Sequence, residues 1–259
     1  MSAGLLSQIG QLARRSVVRT LRQPAMVVPS LVFPLILLAV NSGGLDSATQ
    51  LPGFPTDSYL TFALAIAFVQ GALFSANSAG TNVANDIETG FLNRLALTPL
   101  RRTALLLGQL SGIVVLGLIQ ALSFLVVGLT AGAELEAGVP GALTIVGLSV
   151  LISLGFGTLG AFVALRSGSG EAVQGIFPLL FAALFMSSMA MPRDLIEVDW
   201  FRAIATYNPV SYMLEAIRSL MIEGWDGEAL TLGFGAAAGL VAVALAAASS
   251  ALRTAMVRT

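Results

Sequence analysis

The side chains able to do chemistry in this chain are few, and they cluster. Residues 86–102 read DIETGFLNRLALTPLRR, with two acids and three arginines between long apolar runs. Residues 207–221 read YNPVSYMLEAIRSLM and set Glu215 three positions before Arg218, close to Tyr207 and Tyr212. Acids and arginines so spaced on helices can pair with each other or grip a partner. The usual catalytic and ligating groups are missing: there is no Cys, no His and no Lys, all 13 basic residues being Arg. Disulfides, thiolate metal sites and imidazole acid–base chemistry are therefore excluded. A GxxxxGK[ST] loop needs its lysine on the nucleotide phosphates, so no such loop exists here. Any ATP hydrolysis must come from another polypeptide. A net charge of −1 argues against an overall basic nucleic-acid binder.

The elements that must position these groups follow from composition. The chain is 56% hydrophobic and 10% charged, with a mean hydropathy of +0.87. Soluble domains carry about 25% charged residues. The reading is an all-α integral membrane protein, a single transmembrane domain over residues 1–259. Runs of about 20 apolar residues span a bilayer, and six are expected: 25–40, 60–83, 104–130, 141–165, 173–191 and 230–252. The first contains Pro29 and Pro34, so it is expected to extend or kink. A signal peptide is the other reading of that run, but no small-residue cleavage pattern follows it. Ala, Gly and Ser throughout the runs suit close helix packing in lipid.

Arginine bias sets the expected orientation. With both termini in the cytoplasm, ten of the 13 arginines face inward, leaving Arg193, Arg202 and Arg218 outside with eleven of the 14 acids. Residues 1–24 contain Leu5, Ile9, Leu12, Ala13 and Val17 on one helical arc, and Arg14, Arg15, Arg19 and Arg22 on the other, with Val18 and Leu21 breaking the pattern. An amphipathic helix in the cytoplasmic headgroups, or a plain topology signal, accounts for it.

Segment 85–103 then lies on the cytoplasmic side. Asp86 is expected as a helix N-cap and Thr98-Pro99 as the stop. Ile87, Phe91, Leu92 and Leu95 share one arc, and Glu88 is expected to reach back to the helix N-terminus or to an arginine. The result is a short helix along the membrane, either a simple connector or an exposed ledge for a soluble partner. In the second span Gln70, Asn77, Thr81 and Asn85 form one stripe that must face protein or a cavity. In the fifth, Phe177, Phe181, Phe185 and Ser188 repeat at helical spacing after Gln174, and Pro178 is a possible kink. Packing and a substrate path remain open for both stripes. In the outer segment, 192–228, Asn208-Pro209 reads as N-cap and first helical residue. Met213, Leu214, Ile217 and Leu220 follow with helical spacing, and Glu215 can reach Arg218. Some fourteen residues are too few to cross, so an interfacial or re-entrant helix is expected.

Two of these stretches carry a resemblance. ETGFLNRLALTPLRR, 88–102, is similar to the loop of type 2 ABC transporter permeases, and YNPVSYMLEAIRSLM resembles the segment before that family's last span. The detail is nearest to drug and lipo-oligosaccharide exporters. The family's loop has a denser run of charges at its start, where this chain has Asn85, Ile87 and Thr89. The resemblance implies that Asp86, Glu88, Gly90, Phe91, Arg94, Thr98, Pro99 and Arg101 belong to a coupling helix seated on a separate ATPase subunit. Two permeases and two ATPase chains would form the unit, with ATP and Mg held by the partner and no cofactor by this chain. It implies a central path for a hydrophobic or amphiphilic substrate near Gln70, Asn77, Thr81, Gln174, Phe177, Phe181 and Phe185. It further implies an outer gate at Tyr207, Asn208, Pro209, Tyr212, Glu215 and Arg218. The expected place is the cytoplasmic membrane of a bacterium, and the expected role is outward transport. A channel or secondary transporter without an ATPase, or a membrane scaffold, are the competing readings.

Overall fold

A computed structural model describes residues 4–91, 94 and 102–255. Regular structure among them is helical throughout: α1 (Leu5–Leu21), α2 (Pro24–Gly44), α3 (Tyr59–Glu88), α4 (Arg102–Thr130), α5 (Gly138–Ser167), α6 (Gly170–Phe185), α7 (Asp199–Tyr207), α8 (Pro209–Ile222) and α9 (Gly227–Ala255), with short 3₁₀ turns between some of them. Five of these helices, α2, α3, α4, α5 and α9, are long and apolar enough to cross a bilayer. The first apolar run does extend at both ends, its helix passing through Pro29 and Pro34.

The expected fifth span is shorter than hydropathy suggested. Its helix has 16 residues and stops at Phe185, and residues 186–191 turn instead of continuing. Periodicity cannot see why. The Asn208 amide donates to the Ala183 carbonyl at 2.6 Å, and the Ser187 hydroxyl donates to Leu184 O. Arg218 then donates to the carbonyls of Ser188 and Met189. Polar groups largely from α8 thus satisfy the backbone that a further helical turn would have satisfied, which permits irregular chain inside a packed bundle.

Helix α3 is the hub. Of its most apolar stretch, 89% is buried against the rest of the chain, against 17% for α2 and for α9. It packs on α2, α4, α5, α6 and α8, while α9 packs on α5 and α8, and α1 lies on α4. Lipid offers no hydrophobic gain for helix association, so close backbone approach must supply it through dispersion contacts. The α3–α5 contact shows this: a Cβ on Gly160 would fall 1.9 Å from the carbonyl oxygen of Ala76, so only glycine permits that crossing. Phe62, Phe68 and Leu73 of α3, Phe124 of α4, Ile145, Leu148 and Ile152 of α5 and Met213, Leu214 and Ile217 of α8 fill the common core.

Candidate functional site

The first site is built where α3 ends. Asp86 does not cap a new helix, as the sequence suggested; it lies within the last turn of α3, because the helix runs on to Glu88 before it breaks. The break falls at Thr89-Gly90, where Gly90 takes φ +65°, a left-handed conformation that glycine adopts without strain. The Asp86 carboxylate is buried and holds two guanidiniums of α1. Arg15 donates to Oδ1 from Nη2 at 2.8 Å and to Oδ2 from Nη1 at 3.2 Å, and Arg19 donates to Oδ1 at 2.7 Å. The Arg15 guanidinium also lies 3.7 Å from the centre of the Phe91 ring, just beyond the break. One side chain therefore joins α1, the end of α3 and the start of the following segment.

Part of the polar arc of α1 is used within the chain. Its polar arc turns partly inward: Arg15, Ser16, Arg19 and Thr20 line the junction, while Val18 and Leu21 are exposed. The Ser16 hydroxyl donates to Gln109 O at 3.4 Å, and the Ser111 hydroxyl to Ala13 O at 3.3 Å. A buried carboxylate needs compensating charge, which Arg15 and Arg19 supply here, while Arg14 and Arg22 stay exposed. Glu88 is exposed and makes no ion pair among the described residues. Arg94 is exposed and donates to Thr89 O at 3.2 Å. Thr98, Pro99 and Arg101 lie outside the described residues.

Deeper in the bundle, Phe74 of α3 meets the aromatic stripe of α6. Phe74 sits 5.2 Å from Phe177 and 6.2 Å from Phe181, and Phe33 of α2 is 6.1 Å from Phe181. Phe177 and Phe181 are half-buried in this cluster, whereas Phe185 and Gln174 are exposed. Gln70 is buried, and its Oε1, like Asn77 Oδ1 and Thr81 Oγ1, has no hydrogen-bond partner among the described residues. The Ser75 hydroxyl donates to Gln120 Oε1 of α4 at 3.2 Å, a link that the sequence did not suggest.

At the far end of the bundle, Asn208 and Pro209 open α8 as expected, with Asn208 Oδ1 accepting from Val210 N at 3.0 Å. Glu215 does not pair with Arg218. Its partner is Arg193, which also lies 4.8 Å from the centre of the Tyr212 ring. Arg218 is buried and spends its donors on the carbonyls of Phe62, Ser188 and Met189. Sequence spacing favoured the i,i+3 pair, but the bare carbonyls at the end of α6 compete for the same guanidinium and win it. Tyr212 donates to Thr206 O at 2.7 Å, and Tyr207 points outward, 86% exposed. Phe62, Arg193, Tyr212, Glu215 and Arg218 border a cavity of about 580 Å³.

These features can be set beside known proteins. Residues 7–222 match the family described as ABC-2 type transporter. The chain belongs to that family. It is similar to proteins named as the transport permease ycf38. The one from Cyanophora paradoxa is 27% identical over 217 residues, 83% of this chain and 74% of the relative. That of Pyropia yezoensis is 28% identical over 224 residues, covering 85% and 75%. A protein of Mycobacterium tuberculosis (strain H37Rv) named as the doxorubicin resistance ABC transporter permease protein DrrC is 23% identical over 214 residues, covering 81% and 75%. The ABC-2 permease is thus a multi-pass membrane protein and a transporter subunit, and its family implies an ABC ATPase partner. The match spans the Asp86 junction and the Arg218 knot but ends before α9.

Proposed function

We propose that this chain is the permease subunit of an ATP-driven exporter in a bacterial cytoplasmic membrane. In this reading it crosses six times with both termini inside, α6 and its turn completing the fifth passage. It works as a homodimer with two copies of a separate ATPase, which bind ATP and Mg. Residues of this chain do not suit a nucleotide, since it has no lysine for the phosphates. The substrate is hydrophobic or amphiphilic: a drug, a lipid or a glycolipid. One relative's name mentions doxorubicin resistance, which favours an apolar drug among these.

The observation that carries the reading is the junction at Asp86. A segment meant to be pushed must not hinge freely where it leaves the membrane. Here Arg15 grips both the last turn of α3 and Phe91, so displacement of the segment after Gly90 loads α1 and α3 together. Closure of the ATPases on nucleotide would push that segment, and α3 and α6 would reshape a path along Gln70, Asn77, Thr81 and the phenylalanine stripe. The outer knot around Glu215 and Arg218 would act as the gate.

The test is affinity purification of the tagged chain from its native membrane under mild extraction. A stoichiometric ATPase subunit is expected, retained by the wild type and lost from Arg94→Glu, with the variant still inserted in the membrane. Reproducible recovery of a homo-oligomer alone would sink the exporter reading. Ion or solute flux from vesicles without ATP would then favour a channel or secondary carrier, and no flux at all a scaffold.

A further inference from the structure

Beneath the Asp86 junction, α1, α3 and α4 enclose a crevice of about 50 Å³. Along α3 its lining runs from Asp86 back to Ser75, about 16 Å of helix rise. The shape is therefore a slot let into the bundle from the end where α1 lies. Its mouth is open to solvent, the Arg15 side chain there being 40% exposed. Charge in the slot is already paired. Asp86 is the one carboxylate among the lining residues, and Arg15 and Arg19 both donate to it. The lining therefore holds no unpaired charge for an ion.

What the slot does hold is an unpaired neutral group at each end. Near the mouth, Asn82 Oδ1 is buried without a partner among the described residues. At the deep end, Ser75 donates to Gln120 Oε1 at 3.2 Å, and the other half of that amide, Nε2, is buried without a partner among them. One orphan accepts and the other donates. Turning either amide over would only exchange the two roles. Orphaned polar groups at this depth are costly unless something meets them. A ligand that only accepts, or only donates, can meet one end and not the other. Water does both. It needs about two to four polar partners, and hydroxyls of Ser16, Thr20 and Ser78 line the stretch between the ends. Asn82 and Ser75 stand about 10 Å apart along α3, a span that about three or four waters cover at ordinary hydrogen-bond spacing. The volume has room for about four.

We propose that this slot is a water inlet, in which a file of waters enters past Asp86 and bridges Asn82 to the Ser75–Gln120 pair. The buried Asp86 carboxylate thereby keeps a solvent path. The inner face of α1 rests on water as well as on side chains, so its contact with α3 and α4 can part and re-form by exchanging protein partners for water.

Full-length protein in lipid nanodiscs is irradiated with a short X-ray pulse, which makes hydroxyl radicals from bound water where it lies, and labelled side chains are mapped by mass spectrometry. Leu116 of α4 lines the slot, and Leu148 of α5 sits in the common core. They are 2% and 0% exposed, so burial alone gives them equally low labelling. Leu116 should be labelled several-fold faster than Leu148. Asn82→Leu, which removes the orphaned amide and leaves the ion pair in place, should bring Leu116 down toward Leu148. Equal labelling of the two leucines in the wild type overturns the inlet, whether side chains or a lipid tail fill the slot. Leu116 labelling unchanged in Asn82→Leu overturns the bridge. Should Asn82→Leu fail to fold, the wild-type comparison still decides. No step requires an ATPase or transport, so a dry slot leaves the exporter reading untouched.

Discussion

Arg218 uses Phe62 twice: its Nε donates to the Phe62 carbonyl at 3.1 Å, and its guanidinium lies 3.6 Å from the centre of the Phe62 ring. With Ser188 and Met189 as further acceptors, the side chain ties α8 to the start of α3 and to the turn after α6. Truncation to Ala leaves three carbonyls without their charged donor. Hydrogen bonds to charged groups contribute about 1.5–3 kcal/mol each, and orphaned acceptors add a penalty. Arg218→Ala should therefore lower thermal stability in detergent strongly, by about 3 kcal/mol or more. Arg218→Lys should recover part of it. Scanning fluorimetry reads both, and an unchanged melting temperature in Arg218→Ala would refute the knot.

Removal of Asp86 should release α1. In Asp86→Ala, Arg15 and Arg19 lose their shared carboxylate and face each other with like charge. Breaking a buried pair by removing one partner costs about 3–5 kcal/mol, and exposure of Arg15 reduces that. Hydrogen exchange in α1 should rise by roughly ten-fold or more, with the α3–α5 contact unaffected. Protection that stays at the wild-type level would show that packing on α4 alone holds the helix.

Gly160→Ala tests the α3–α5 crossing. The new methyl meets the Ala76 carbonyl, which is backbone and cannot rotate away. Overpacking of this kind costs about 1–3 kcal/mol or more. Gly175→Ala on α6, where nothing lies within 4 Å, serves as the neutral control. The yield of folded protein on size-exclusion chromatography should fall for the first and not for the second.

Phe181 and Phe185 should separate in transport. Phe181 touches rings of α2, α3 and α6, so Phe181→Ala should lower stability as well as flux. Phe185 is 55% exposed and 6.4 Å from Phe181, so Phe185→Ala should change substrate profile with little loss of stability. Identical transport profiles for both variants and the wild type would remove the aromatic stripe from the path.

Legibility in the sequence followed the range of the interactions. Local signals were readable: Asn208-Pro209 as a helix start, the apolar face of α8 at Met213, Leu214 and Ile217, and five long helices all have causes within a few residues. Long-range partners were not. Asp86 finds Arg15 and Arg19 about seventy positions away, and Arg193 takes Glu215 from Arg218 across 22 positions. An acid set at the end of an apolar run was the one available hint of the first. Helix length failed at α6 because hydropathy counts side chains, while termination was decided by which backbone carbonyls another helix could satisfy.

The brevity of α6 has a consequence for the membrane itself. Sixteen residues rise about 24 Å, short of a hydrocarbon core of about 30 Å. In the six-span reading, residues 186–191 must carry the chain across the remaining depth, so a stretch of non-helical backbone lies within the oil layer. Such a stretch is tolerated there only where protein shields it, and Arg218 and Asn208 supply that shield from α8. Loss of the shield would therefore open this passage to lipid before any other.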